Sequence, residues 1–243
     1  IQVASVRERI LEDGFGYIRI AQFQSATGRE VRRSLEKLTE EGELSGLVLD
    51  LRNNPGGLLQ TAVEVSDVFI NDGLIVYTEG RLSQSEQRYN ASTPDQTEGV
   101  PLIVLVNEGT ASASEIVAGA LQDHKRAVIM GMSTFGKGSV QTVLPLSSEI
   151  AIKLTTALYF TPNGRSIQAE GIVPDIRVER STVTKLKSNP FRIKEKDLAG
   201  HLENGDDIPK VEAGDEDEAT DLSVTDYQLN EALTLLKGIN ILA

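Results

Sequence analysis

The chain has no cysteine and no tryptophan, only two histidines, and 5% aromatic residues among its 243. The lack of cysteine excludes disulfides, thiolate metal sites and a cysteine nucleophile. It suits a bacterial periplasmic protein without demanding that compartment. No apolar run approaches the ~20 residues needed to span a bilayer. No signal peptide opens the sequence, and Ile1 falls mid-pattern, so the expectation is a fragment of a longer, exported precursor. Basic, aromatic-studded patches are also lacking, and the net charge is −12, which argues against nucleic-acid binding.

Apolar residues make up 40% of the chain, enough for a real core, and the mean hydropathy is −0.17. The negative charge is uneven. Residues 201–221 hold nine acids and one lysine, the composition of a solvated linker. Residues 181–225 are therefore read as a polar, then acidic, connection. From 226 to 243 Leu229, Leu233 and Leu236 recur at helical spacing, predicting an amphipathic helix. A helix this short is marginal alone, so it docks on its own core or on a second chain or adaptor.

The chemistry concentrates between Thr110 and Gln141. Ser112-Ala113-Ser114-Glu115 followed by IVAGAL has the form of a capping box, with Ser112 at the N-cap and Glu115 at N3. A serine there lies beside unpaired amides at the positive end of the helix dipole. The Ala113 amide is then placed to donate to an oxyanion. Position alone does not choose between Thr110, Ser112 and Ser114. Whichever hydroxyl attacks needs a base. His124 follows Ser112 by twelve residues on the same expected helix, a separation of roughly 18 Å. His201 falls in the acidic stretch, so a Ser-His-Asp triad is disfavoured. Lys137, between Gly136 and Gly138, is the better base, provided its surroundings keep the amine dry. A solvated loop lysine is the plainer alternative.

Two loops follow short apolar strands at their carboxyl ends, where open α/β sheets place ligands. Leu47–Leu49 leads to Asn53-Asn54-Pro55-Gly56-Gly57, and Leu102–Val106 leads to Asn107-Glu108-Gly109. Further strands are expected at 16–23, 74–77, 127–130, 140–146 and 151–158, with one helix capped by Ser25 or Thr27 and running to about Glu41 and another over 58–70. A hairpin or flap is expected over 83–98. Residues 1–10 read as a mixed-charge lead-in, and Arg52 beside Asp50 as a structural pair.

TASASEIVAGALQDH at 110–124, TFGKGSVQ at 134–141, LVLDLRNNPGGLLQTAVEVSDVFI at 47–70 and GYIRIAQF at 16–23 together resemble, in order, the carboxy-terminal processing proteases. These are the tail-specific, S41-type serine peptidases, and the likeness covers residues 1–180. It implies an α/β fold, the ββα superhelix of the crotonase/ClpP-like type, here with a C-terminal helical appendage. It makes Ser112 the nucleophile, Lys137 the general base and Gln141 the residue that orients the amine. Ala113 and Gly57, or Gly56 in its place, become oxyanion donors, and Asp123 a supporting carboxylate. No metal or cofactor is implied, and the partners are proteins or peptides with exposed, nonpolar C-terminal tails. The family's PDZ domain is absent from residues 1–243. On a straight strand Lys137 and Gln141 would lie roughly 13 Å apart, so the glycines must bend the chain for them to meet. The competing function on the same scaffold is a non-catalytic module for hydrophobic ligands or proteins. An acyl-CoA enzyme rests on fold analogy alone.

Overall fold

The computed structural model describes residues 5–81, 86–147, 150–184 and 222–242, without the side chains of 142 and 143. A six-stranded sheet forms the centre, in the order β1 (Val6–Glu12), β2 (Phe15–Ile20), β3 (Gly46–Asp50), β6 (Leu102–Val106), β7 (Val128–Gly131), β10 (Ile176–Arg177). Only the β1–β2 pair is antiparallel; the remaining pairs are parallel. A second, antiparallel sheet has the order β5 (Gln87–Asn90), β4 (Leu74–Gly80), β9 (Ala151–Phe160), β8 (Ser139–Pro145). The helices are α1 (Thr27–Glu41), α2 (Leu59–Ser66), α3 (Ala113–Asp123), α4 (Leu222–Thr225) and α5 (Tyr227–Leu242). The class is mixed α/β.

Continuous apolar strands such as Gly46–Asp50 and Leu102–Val106 are buried at every position because both sheet faces are covered. Leu47 and Leu49 point to one side, where they meet Val31, Leu35 and Leu38 of α1, Ala62 and Val65 of α2, and Ile116 and Val117 of α3. Val48 points to the other, with Ile103, Leu105 and Met130, against Leu229, Ala232 and Leu236 of α5. The C-terminal helix thus covers the second face of its own sheet. Between the two docking sites expected for it, this is the intramolecular one.

Several expectations need correction. Residues 6–12 form a strand rather than a lead-in, paired antiparallel with β2. The strand was masked by Arg7, Glu8, Arg9 and Glu12, charges suited to a sheet edge. Glu8 accepts from Ser34 and pairs with Lys37, while the Arg9 guanidinium stacks over the Tyr17 ring. The helix expected to reach residue 70 ends at Ser66, with turns through Phe69. The expected flap supplies β5, a hairpin partner of β4. Residues 222–225, placed in the linker, are helical. His201 and the whole acidic segment, residues 201–221, lie outside the described residues. No helix of the described residues is long and apolar enough to cross a membrane.

Candidate active site

β3 and β6 are adjacent and parallel, so their carboxyl-end loops are neighbours. Two asparagines tie the loops together. Asn53 N donates to Asn107 Oδ1 at 2.8 Å, and Asn107 Nδ2 donates to Asn53 Oδ1 at 3.0 Å. The Asn54 carbonyl accepts from Ala111 N at 2.9 Å and Ser114 Oγ at 3.0 Å. Thr110 Oγ1 donates to the Leu51 carbonyl at 2.8 Å. Thr110 and Ser114 are fully buried and committed to main-chain carbonyls. Ser112, half-buried between them, makes no side-chain hydrogen bond among the described residues. Of the three hydroxyls, Ser112 is the accessible one.

Ser112 adopts φ 58° and ψ −115°, a region that residues with a Cβ avoid, at a cost of about 1–3 kcal/mol. The surroundings compensate. Ser112 N donates to Glu115 Oε2 at 2.7 Å, the glutamate half of the expected capping box. The Ser112 oxygen lies near enough to Glu115 N to complete the pattern but short of hydrogen-bond geometry, and that amide donates to the Ser112 carbonyl at 2.9 Å. The hydroxyl is not used up in capping. Strained serines at strand–turn–helix junctions are how α/β hydrolases expose a nucleophile.

Glu115 is fully buried and holds more than the helix start. Its Oε1 accepts from Thr134 Oγ1 and from Gly136 N, the latter at 2.7 Å, and its Oε2 accepts from Lys137 N at 2.9 Å. One carboxylate therefore fastens the lysine loop to the serine turn. Phe135 N adds a bond to the Thr110 carbonyl at 3.0 Å. Gly138 is pressed against the chain at Gln168, where a Cβ would come within 2.3 Å of the backbone nitrogen. Lys137 is half-buried, and no described carboxylate pairs with its ammonium.

Gly56 packs on the serine turn: a Cβ there would lie 2.8 Å from Ser112 Cβ and 2.9 Å from Ala113 N. Its own amide donates to Asn54 Oδ1 at 2.9 Å. Gly57 sits in a bridge to Phe23 in which Phe23 N donates to the Gly56 carbonyl and Leu58 N to the Phe23 carbonyl. Neither the Gly57 amide nor that of Ala113, the first residue of α3, has a partner among the described residues. Gln141 is exposed on β8 opposite Thr155, and no hydrogen bond among the described residues joins it to Lys137. Asp123, at the far end of α3, accepts from Asn163 N at 2.8 Å and pairs with Arg165, away from the serine. His124 bonds the Leu74 carbonyl through Nε2 at 2.7 Å.

Behind the Asn-Pro-Gly-Gly loop lies a buried charge network. Asp50, fully buried, accepts from Tyr17 Oη at 2.7 Å, from Arg19 at 3.0 Å, and from Arg52 N, Nε and Nη2 at 2.9, 3.0 and 2.7 Å. Burial and the Asp50 charge push the Tyr17 hydroxyl up to about 12. Burial opposes the Arg52 charge, yet hydrogen bonds to Asp226 and Asp50 hold its pKa above the ordinary arginine value.

The sequence singled out Ser112 and Lys137 as candidates but saw Glu115 only as a helix-capping residue. Its double duty depends on Thr134 and Gly136, which nothing in the spacing links to it. Residues 14–178 match the family model for Peptidase family S41. The chain belongs to that family. It is 46% identical over 241 residues to a carboxy-terminal-processing protease of Bartonella bacilliformis, covering 98% of this chain and 55% of that protein. It is 45% identical over 169 residues to a carboxyl-terminal-processing protease of Synechocystis, covering 70% and 39% respectively. The fold is similar to that of the photosystem II D1 C-terminal processing protease, with TM-score 0.65, 38% identity, and coverage of 74% of this chain and 49% of that one. The chain spans about half the length of these relatives.

Proposed function

We propose that this chain carries the catalytic core of a serine endopeptidase that cleaves proteins recognised by nonpolar C-terminal tails, through a Ser112/Lys137 dyad. The observation that carries the reading is the Glu115 carboxylate, which fixes the strained Ser112 turn and the Lys137 loop to one another.

In this reaction Ser112 Oγ attacks the scissile carbonyl carbon while the unprotonated Lys137 amine takes the hydroxyl proton. The carbonyl oxygen becomes an oxyanion facing the Ala113 and Gly57 amides. Gly57 is preferred over Gly56 because the Gly56 amide already serves Asn54. As the tetrahedral intermediate collapses, the lysine ammonium returns its proton to the leaving amine. An acyl-enzyme on Ser112 remains, and water clears it with Lys137 again as base. Gln141 orients the lysine amine once substrate orders the loop, since apo contacts are often loose. Asp123 supports the far end of α3 by holding the 163–165 turn.

Relatives named carboxy-terminal-processing proteases come from bacteria, and the proposed location, taken from the family resemblance, is the periplasm or cell envelope. We read β2, β3, β6 and β7, with α1, α2 and α3 between them, as turns of a ββα superhelix of the crotonase/ClpP-like type. The expected result is that Ser112→Ala and Lys137→Ala each abolish cleavage of an unfolded substrate with a nonpolar tail, with unchanged melting behaviour. Retained cleavage in either variant overturns the dyad.

A further inference from the structure

The same loop that carries Gly57 begins at Arg52, and Arg52 is held from two directions. On one side it meets Asp50, the last residue of β3; on the other it meets Asp226 and Gln228 at the start of the C-terminal helix. Arg52 Nη1 donates to Asp226 Oδ1 at 2.8 Å and to Gln228 Oε1 at 3.1 Å, and Nη2 donates to Asp226 Oδ2 at 2.7 Å. Two parallel bonds between a planar guanidinium and a carboxylate form a directional clamp that a point charge does not reproduce. The Arg52 side chain is 10% exposed and that of Asp226 32%, so the clamp is shielded from water on the arginine side.

Asp226 is tied into the helix as well. Its Oδ1 accepts from Leu229 N at 3.2 Å, which makes it the capping side chain of α5. Gln228 Nε2 donates to the Val178 carbonyl at 2.7 Å, just past β10. Leu229 and Leu236, both essentially buried, key the helix onto Val48, Ile103, Leu105 and Met130. From Arg52 the path to the serine is short. Asn53 is bonded to Asn107, the Asn54 carbonyl receives Ala111 N and Ser114 Oγ, and Asn54 Oδ1 receives Gly56 N.

We infer that the C-terminal helix is a working part of the catalytic apparatus, in which Asp226 is a positioning residue that sets the Asn53–Gly57 loop through Arg52. With α5 docked, the loop has one arrangement. With Asp226 neutralised, Arg52 keeps Asp50 and the single bond to Gln228 Oε1 but loses the bidentate carboxylate, and the loop gains freedom to turn its amides from the oxyanion position. Effects of this kind act on the transition state more than on substrate binding. Leu229, Ala232 and Leu236 cover the sheet face with apolar contacts, and the part-buried bidentate pair adds a direction that those contacts lack.

This inference rests on the proposed peptidase reading, so its test has one arm that needs no activity. In the full-length protein, Asp226→Asn and Asp226→Glu are compared with wild type by peptide kinetics, hydrogen exchange and thermal melting. The expected result for Asp226→Asn is a kcat about tenfold lower, since small misplacements of catalytic groups cost this much or more, with KM within about twofold. Amides 53–58 exchange faster while those of 116–121 stay protected. Asp226→Glu restores most of both signals. The inference is overturned if exchange at 53–58 is unchanged, or if kcat is unchanged. It is also overturned if kcat falls only in step with the melting temperature and the glutamate gives no rescue. Faster exchange in a protein that shows no peptidase activity even as wild type upholds the clamp and removes the peptidase reading instead.

Discussion

Ser112 and Lys137 are 25 residues apart in sequence, yet their main-chain amides donate to the same atom, Glu115 Oε2, at 2.7 and 2.9 Å. The two nitrogens are thus separated by no more than the sum of those distances. A single buried carboxylate sets the spacing between the serine turn and the lysine loop, while Thr134 and Gly136 occupy its other oxygen.

Replacing that carboxylate with its amide tests the arrangement. Glu115→Gln keeps the volume but places an NH2 group against main-chain donors, leaving buried polar groups unpaired. Loss of charge-assisted bonds of this kind costs about 2–3 kcal/mol. The expected outcome, read by urea unfolding, is a stability loss of that order with the fold retained. Peptidase turnover falls at least tenfold more than the loss of folded protein explains.

Gly56 offers a second test, of close approach. Its φ is +94° and a Cβ would sit 2.6 Å from the Ala111 carbonyl oxygen. Gly56→Ala therefore strains the backbone and pushes on the serine turn at once. A stability loss of about 1–3 kcal/mol is expected, with loss of reaction at Ser112 toward an active-site probe. Unchanged probe reactivity in the folded variant would show that the loop does not bear on the serine.

A pH-dependent test uses Asp67, remote from the serine. Burial opposes its charge, but the amides of Ser92 and Thr93 and their hydroxyls hold its pKa below the ordinary carboxylate value. A depressed folded-state pKa means stabilisation that is full above the unfolded value of about 3.9 and is lost as pH falls through the folded one. Asp67→Asn should accordingly destabilise at pH 7. The gap to wild type, followed by urea unfolding, should close as the pH is lowered below about 3.9.

The core of the second sheet face rests on α5. Leu236 is fully buried against that face, with its side chain close to Gly46. Leu236→Ala should cost about 2–5 kcal/mol by removing buried surface and leaving a cavity, measured by thermal or chemical unfolding. Leu146→Ser, on the exposed hairpin joining β8 and β9, should change stability by less than about 0.5 kcal/mol.

These features were not equally legible in the sequence. Leu47–Leu49 and Leu102–Val106 announced themselves as buried strands because both faces of each are covered, and Val31, Leu35 and Leu38 marked α1 by spacing. The strand at Val6–Glu12 was not legible, because an edge strand turns charged side chains outward and loses its alternation. The serine and lysine could be singled out from local motifs, Ser112 by its place before a helix and Lys137 by its flanking glycines. Glu115 as a two-loop fastener, and Asp226 on Arg52 from 174 residues away, are tertiary pairings that no local pattern encodes. Between Lys137 and Gln141 the strand is irregular at Val140/Gln141, where its register with β9 shifts, yet the two side chains share no hydrogen bond among the described residues.

The most direct test is covalent labelling of Ser112 by a fluorophosphonate probe in the full-length protein, mapped by peptide mass spectrometry, with Lys137→Arg alongside wild type. Arginine keeps the positive charge and most of the bulk but does not give up its proton. The account predicts a single adduct on Ser112 in wild type and at least a hundredfold slower labelling in the arginine variant, the scale expected for losing a general base. An adduct on another residue, or equal labelling rates in the two proteins, would contradict it.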